Sequence, residues 1–154
     1  MRHSRITSTA QASPGRGSKG ATASETRARI VEAAARLYRT AGHRKTTVAD
    51  IARDLSMSPA NLYRFFPSRQ AIETAVVGEL LDQVGRAVRA AACSEGPATE
   101  RLRRVLHAAE TLHARRRTED PRLHELVVTA TSASWPIATS YADRLNSTLA
   151  QLVS

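Results

Sequence analysis

The sequence predicts an all-α protein, and two observations lead to that prediction. From Ser24 onward, apolar residues recur every three or four positions, which is the period of a helix buried along one face. No segment alternates apolar and polar residues as a half-buried strand does, and glycine (7) and proline (6) are too scarce for a fold made of many turns. We therefore expect three N-terminal helices, a long fourth helix and a C-terminal helical bundle.

Composition excludes several classes of protein. The single cysteine, Cys93, can form neither an internal disulfide nor a cysteine-based zinc site. No stretch approaches the roughly 18 apolar residues that cross a bilayer, and no apolar segment has the form of a secretory signal. Motifs for nucleophilic catalysis, phosphate binding or metal binding are also missing. We expect a cytoplasmic protein without enzymatic activity, metal, cofactor or membrane contact.

Charge is distributed unevenly along the chain. The net charge is +9, and residues 1–72 carry 13 Lys and Arg against 4 Asp and Glu. Residues 73–154 carry 10 of each. An arginine-rich soluble surface is one explanation, but so complete an asymmetry favours a module that faces nucleic acid joined to a neutral module.

The first segment, residues 1–23, is rich in Ser, Thr, Gly and Ala and holds four basic residues and no acid. Because it lacks an apolar period, we expect a disordered tail. Two roles remain open for it: a solvated tail, or a basic arm that contacts phosphates or the minor groove.

The first helix is expected to begin at a Ser24 cap and to end near Ala41. Gly42 follows, where the C-terminus of a helix favours a left-handed residue. The residues expected on the buried face are Ile30, Ala33, Ala34, Leu37, Tyr38 and Ala41.

The next two helices are short and lie close together in sequence. Thr47, with Asp50 three positions later, is expected to cap a second helix of about 48–55. Ser58-Pro59 should begin a third helix of about 59–65, since proline at the first helical position loses no hydrogen bond.

Four longer helices are predicted after these. They cover about 69–92 and 98–117, with two more starting at Asp120-Pro121 and at Ser134-Trp135-Pro136. Arg115–Arg117 is interpreted as a solvated, cationic helix end. The residues expected to face inward are Val77, Leu81, Val84 and Val88, then Leu102, Val105, Leu106, Ala109 and Leu112, then Leu123, Leu126, Val127 and Ala130, and finally Ile137, Tyr141, Leu145, Leu149 and Leu152.

The second and third helices have the form of a helix-turn-helix at about 47–66. A recognition helix must enter a major groove about 12 Å wide, so its leading face must be small or polar. Helix N-termini also favour phosphate. The residues expected at DNA are Arg44, Lys45, Thr46 and Thr47 before the second helix, and Ser58, Pro59, Ala60, Asn61, Tyr63 and Arg64 on the third.

The segment AARLYRTAGHRKTTVADIARDLSMSPANLYRFFPSRQAI closely resembles the N-terminal DNA-binding domain of TetR-family transcriptional regulators. The resemblance covers about residues 25–84. Its landmarks are Gly42, Thr46-Thr47-Val48, Ile51-Ala52, Met57-Ser58, Leu62-Tyr63, Phe66-Pro67-Ser68 and a basic residue at 69.

This resemblance implies a homodimer that binds a roughly palindromic operator and represses a promoter until a small ligand releases it. In the family, the residues matching Thr47, Asn61, Tyr63 and Arg69 are commonly at the DNA, and Arg69 takes the place of the usual lysine. Ser56 stands where the family usually has glycine, a substitution that costs stability if φ is positive.

The expected organisation is a tail at 1–23, a DNA-binding domain at 24–84 and a C-terminal regulatory and dimerisation domain at 85–154. The family's C-terminal domain is generally longer, so this half is expected to be short. Trp135, Tyr141 and His107 are candidates for a ligand pocket, and a core or solvated role is the alternative for each. The alternative for the whole chain is a truncated or ligand-independent DNA-binding accessory protein.

Overall fold

The computed structural model describes residues 21–154, which form seven α-helices and no strand. The helices are α1 (Ala23–Ala41), α2 (Val48–Asp54), α3 (Pro59–Tyr63), α4 (Arg69–Ala92), α5 (Ala98–Glu119), α6 (Pro121–Ser132) and α7 (Pro136–Val153). The predicted all-α fold is confirmed. Residues 1–20 of the expected tail lie outside the described residues.

The first helix begins earlier than the Ser24 cap predicts. The cap is Thr22, whose hydroxyl accepts from the backbone N–H of Glu25, while the Glu25 carboxylate accepts from the N–H of Thr22. This reciprocal box needs an acid three positions after the cap. Ser24 has Arg27 at that position and so lacks the second half of the box.

Helices α1 to α4 and α6 enclose a first apolar cluster, here called the N-terminal core. It extends beyond the predicted DNA-binding domain, because α6 contributes Leu123, Leu126, Val127 and Ala130 and α7 contributes Ala138. The boundary between the DNA-binding domain and the C-terminal domain at residue 84 stays a prediction. The other buried members are Ile30, Ala33, Ala34, Tyr38, Val48, Ile51, Ala52, Leu62, Phe66, Ile72, Val76, Val77, Leu80 and Leu81.

A second, smaller cluster, here called the C-terminal core, lies between α4, α5 and α7. Its buried members are Val84, Val88, Ala92, Val105 and Leu152. Helix α4 supplies both cores and packs against α1, α5, α6 and α7, so it connects the two halves.

Two expectations for α5 are wrong. Leu106, expected inside, is 55% exposed, whereas Arg116, expected in a solvated end, is only 7% exposed. Arg116 continues the inward stripe that runs through Val105, Ala109 and Leu112 at helical spacing, while Leu106 lies off that stripe.

The turn that follows α1 depends on a glycine. Gly42 has φ 87° and ψ 151°, a conformation almost restricted to glycine. Its carbonyl accepts a 2.9 Å hydrogen bond from the Thr46 hydroxyl, which holds the loop between α1 and α2 in place.

Across residues 21–154, none of the helices combines the length and the apolar character required to span a bilayer.

Candidate nucleic-acid interface

Helix α2 is fixed at its start by Thr47 and Asp50. The Thr47 hydroxyl accepts from the N–H of Asp50 (3.1 Å), and the Asp50 carboxylate accepts from both the N–H and the hydroxyl of Thr47 (2.9 and 2.7 Å). These hydrogen bonds, led by the one from the Thr47 backbone, hold the pKa of Asp50 below its ordinary value. The predicted cap of the second helix is confirmed.

The turn between α2 and α3 keeps its left-handed form although serine replaces the family's usual glycine. Ser56 has φ 54°. Its N–H donates to the carbonyl of Arg53 (3.1 Å), and the N–H of Met57 donates to the carbonyl of Ala52 (2.9 Å). This pair of bonds is a Schellman motif, so the conformation is retained and the serine carries its strain.

Helix α3 begins as predicted and ends earlier. The Ser58 hydroxyl accepts from the N–H of Asn61 (3.1 Å), and Pro59 occupies the first turn. The helix ends at Tyr63, after which the next two backbone N–H groups donate to carbonyls three rather than four residues earlier. Leu62 and Phe66 are buried, which anchors the short helix to the N-terminal core.

The outward face of α3 is small and polar. Ser58, Pro59 and Ala60 are exposed and Asn61 is half-buried. Tyr63 is 47% exposed, which is unusual for an aromatic residue beside a complete apolar core, and Arg64 is exposed next to it. Arg44 and Lys45 are exposed on the loop before α2. Most of the residues predicted to contact DNA, on α3 and on the loop before α2, are therefore exposed.

Three of the predicted contact residues have their side-chain hydroxyls engaged elsewhere. Thr46 is only 3% exposed and bonds to the Gly42 carbonyl, so it supports the loop from inside. Thr47 and Ser58 are exposed but use their hydroxyls as helix caps. Arg44 lies 3.6 Å from Glu125 of α6. Among the described residues, the predicted polar or aromatic contact side chains that remain without a hydrogen-bonding or ion-pair partner are Lys45, Asn61, Tyr63 and Arg64.

Arg69, predicted to contact phosphate, is tied into a buried polar cluster. Its Nε donates to a Glu73 carboxylate oxygen (3.0 Å), and its Nη2 donates to the backbone carbonyl of His43. The same Glu73 oxygen lies 3.3 Å from Nδ1 of His43, and both residues are buried. Arg69 thus joins the start of α4 to the loop that precedes α2, in addition to any phosphate contact.

Arg27 also supports the end of α3, a role that was not predicted from the sequence. Its guanidinium lies 4.2 Å from the centre of the Phe66 ring and donates to the Phe65 carbonyl. The first turns of α1 are thereby held against the end of α3. No local pattern identifies this contact, since the hydrogen-bonded partners are 38 positions apart in sequence.

Family models match both halves of the chain. The model described as bacterial regulatory proteins, tetR family, matches residues 30–76, which include α2, the turn and α3. The model described as the tetracyclin repressor-like C-terminal domain matches residues 98–154. The chain belongs to the TetR family of bacterial regulatory proteins.

Solved structures agree with the TetR-family fold. The chain is similar to PfmR, a TetR family transcriptional regulator from Thermus thermophilus, with 26% identity and a TM-score of 0.61 over 81% of this chain and 68% of that one. A TetR family transcription regulator from Marinobacter aquaeolei is 28% identical, with a TM-score of 0.62 over 82% of this chain and 65% of that one.

A third structure supports the fold alone. The ketosteroid transcriptional regulator KstR2 of Mycobacterium tuberculosis is 23% identical, with a TM-score of 0.57 over 79% of this chain and 61% of that one. The chain thus spans about two-thirds of the length of these structures. No curated protein matches its sequence.

The three residues predicted for a ligand pocket of this TetR-family regulator lie in different environments. Trp135 packs against the N-terminal core, and Tyr141 packs against both cores. His107 is exposed on α5. Tyr141 lines a cavity of about 20 Å³, which is too small for an organic ligand.

Proposed function

We propose that this TetR-family regulator binds a palindromic operator as a homodimer, represses transcription there, and is released by a small ligand bound in its C-terminal half. The observation that carries the proposal is the exposed face of α3, where Tyr63, Arg64 and the small residues before them project from a buried apolar anchor.

The side chains of that face differ in the part of the DNA that their chemistry suits. Lys45 and Arg64 are exposed cations suited to phosphate, which supplies affinity without sequence preference. Pro59, Ala60 and Asn61 lie on the first turn of α3, where small side chains let the backbone approach base edges. Tyr63 offers both an apolar ring and a hydroxyl to the DNA.

Rigidity of the face supports the same proposal. Burial of Leu62 and Phe66 in the N-terminal core and the hydrogen bond from Arg69 to the His43 carbonyl hold α3 and the start of α4 against the rest of the domain. The Schellman turn at Ser56 fixes the connection between α2 and α3. A ligand that changes the position of α4 in one subunit would therefore move the whole reading face, and would change the distance between the two faces of a dimer.

Selection of DNA fragments from a random pool by the purified full chain tests the proposal. We expect an enriched palindrome whose half-sites lie about one helical turn, or about 34 Å, or a small multiple of it, apart. Light scattering on the same preparation should give a dimer.

An enriched single half-site together with a monomeric chain would contradict the homodimer. The same result would favour the alternative, a DNA-binding accessory protein without the ligand switch. Absence of any enriched sequence would contradict operator recognition itself.

A further inference from the structure

Arg116, near the end of α5, is a buried cation with one backbone partner. Its Nη2 donates to the carbonyl of Leu80 (2.8 Å), and its buried Nη1 has no hydrogen-bond partner among the described residues. Burial lowers the pKa of Arg116 and the nearby charge of Asp120 opposes that shift, yet an arginine remains charged in a protein. A buried charge that lacks an ion-pair partner destabilises a fold unless something compensates it.

Neighbouring arginines already have carboxylate partners. Arg39 lies 2.5 Å from Asp120, and Arg115 lies 2.6 Å from Glu119, both on the exposed side. Within residues 21–154, Arg116 takes part in no ion pair. The first two acids that follow Arg116 in the sequence, Glu119 and Asp120, are thus paired with other arginines.

Two further polar groups near Arg116, Tyr141 and His113, are neutral. Burial raises the pKa of Tyr141, whose hydroxyl is buried without a partner among the described residues. Burial and the charge of Arg116 both lower the pKa of His113, which keeps that imidazole uncharged near neutral pH. These groups supply no negative charge to the guanidinium.

A cavity of about 250 Å³ lies against Arg116, between α1, α4 and α5. Leu80 and Leu112 supply apolar wall, Gln83 adds an amide, and Glu119 and Asp120 also line it. The cavity has room for a small organic molecule, and the exposed Arg39 and Arg115 border it.

We propose that Arg116 and this cavity form a binding site for a small organic monocarboxylate, with the carboxylate on the guanidinium and the apolar body against Leu80 and Leu112. Guanidinium and carboxylate match in shape and bind through paired hydrogen bonds. Two acids on the wall disfavour a dianion such as a phosphate monoester. That this ligand releases the operator would rest on the function proposed above, whereas binding of the carboxylate at Arg116 does not.

The test uses the full chain and straight-chain monocarboxylates from acetate to octanoate, with hexanamide as the neutral counterpart of hexanoate. Thermal unfolding should show that a member of the series raises the midpoint of the wild-type protein in a concentration-dependent way. The matched amide should leave the midpoint unchanged, since it lacks the charge.

Variants identify the group responsible. Arg116→Met should weaken carboxylate binding about tenfold or more, and in the absence of ligand it should unfold at or above the wild-type temperature, because an unpaired buried charge is gone. Arg116→Lys keeps the charge but lacks the planar guanidinium that makes paired hydrogen bonds, so it should bind more weakly than wild type. Arg103→Gln, also on α5 but exposed, paired with Glu100 and outside the lining of this cavity, should bind as wild type.

Three results would overturn the site: no carboxylate of the series stabilises the protein, the amide stabilises it equally, or Arg116→Lys responds as fully as wild type. Operator affinity is measured separately. A carboxylate that binds through Arg116 and leaves DNA affinity unchanged would support the site and contradict ligand release.

Discussion

Ser56 shows how one residue can carry strain that the rest of a motif tolerates. A non-glycine residue at φ 54° is disfavoured by its own Cβ, yet both hydrogen bonds of the turn form around it. Ser134, after α6, repeats the arrangement with φ 52°, and its N–H and that of Trp135 turn back to Thr131 and Ala130. The chain thus uses serine at two positions where glycine is favoured.

Replacing Ser56 by glycine should therefore stabilise the protein. We expect the free energy of unfolding to rise by roughly 1 kcal/mol, because glycine adopts this φ without the Cβ penalty. Denaturant unfolding measures the change, and Ser56→Ala is the matched control, since alanine keeps the Cβ and should give no gain. A less stable Ser56→Gly variant would contradict the assignment of strain.

At the scale of elements, the sequence was most informative where local chemistry determines a helix end. The caps at Thr47 and Ser58 and the start of α4 at Arg69 were predicted correctly, because each depends on residues within three positions. The start of α1 was missed because two hydroxyl residues, Thr22 and Ser24, compete and only one has a glutamate in register.

Elements whose residues depend on distant partners were predicted less well. The third helix was expected to reach about residue 65, but it ends at Tyr63, and the Phe65 carbonyl accepts a hydrogen bond from Arg27 of α1. Arg116 was expected in solvent because neighbouring arginines suggest a cationic end. Its burial depends on α4, which supplies the Leu80 carbonyl 36 positions earlier in the sequence.

For the candidate DNA face, the sequence predicted most of the exposed positions but not all the contacts that their side chains make. Sequence spacing placed Thr46, Thr47 and Ser58 beside the groove. Hydrogen bonding in the folded chain engages all three hydroxyls, which leaves Tyr63 and Arg64 as the most available side chains of α3. The capping roles of Thr47 and Ser58 follow from local spacing, whereas the bond from the Thr46 hydroxyl to the Gly42 carbonyl depends on the conformation of the loop.

At the scale of the whole molecule, the structure indicates where the basic segment that precedes α1 joins the fold. Arg27 holds the first turns of α1 against the end of α3, so the chain that precedes α1 joins the fold close to the candidate DNA face. That preceding segment contains Arg2, Arg5, Arg16 and Lys19 and no acid. We therefore predict that this charge contributes to DNA binding.

Deleting residues 1–20 should weaken operator binding and reduce its dependence on salt. The slope of log K against log salt should become shallower by up to about 3.6, since each neutralised phosphate contributes about 0.9. Binding isotherms at several salt concentrations measure the slope. A full-length variant with these four basic residues changed to serine should match the deletion, and an unchanged slope in both would indicate a solvated tail.

The central claim is that the exposed face of α3 binds the operator, and a binding titration of three variants tests it most directly. Tyr63→Ala should weaken binding about 10- to 100-fold through lost contact with bases or backbone. Arg64→Ala should weaken binding across sequences and reduce the salt slope by about 1. Arg103→Ala, which removes an exposed arginine of the neutral half, should bind as wild type. Wild-type affinity in both α3 variants would contradict the claim.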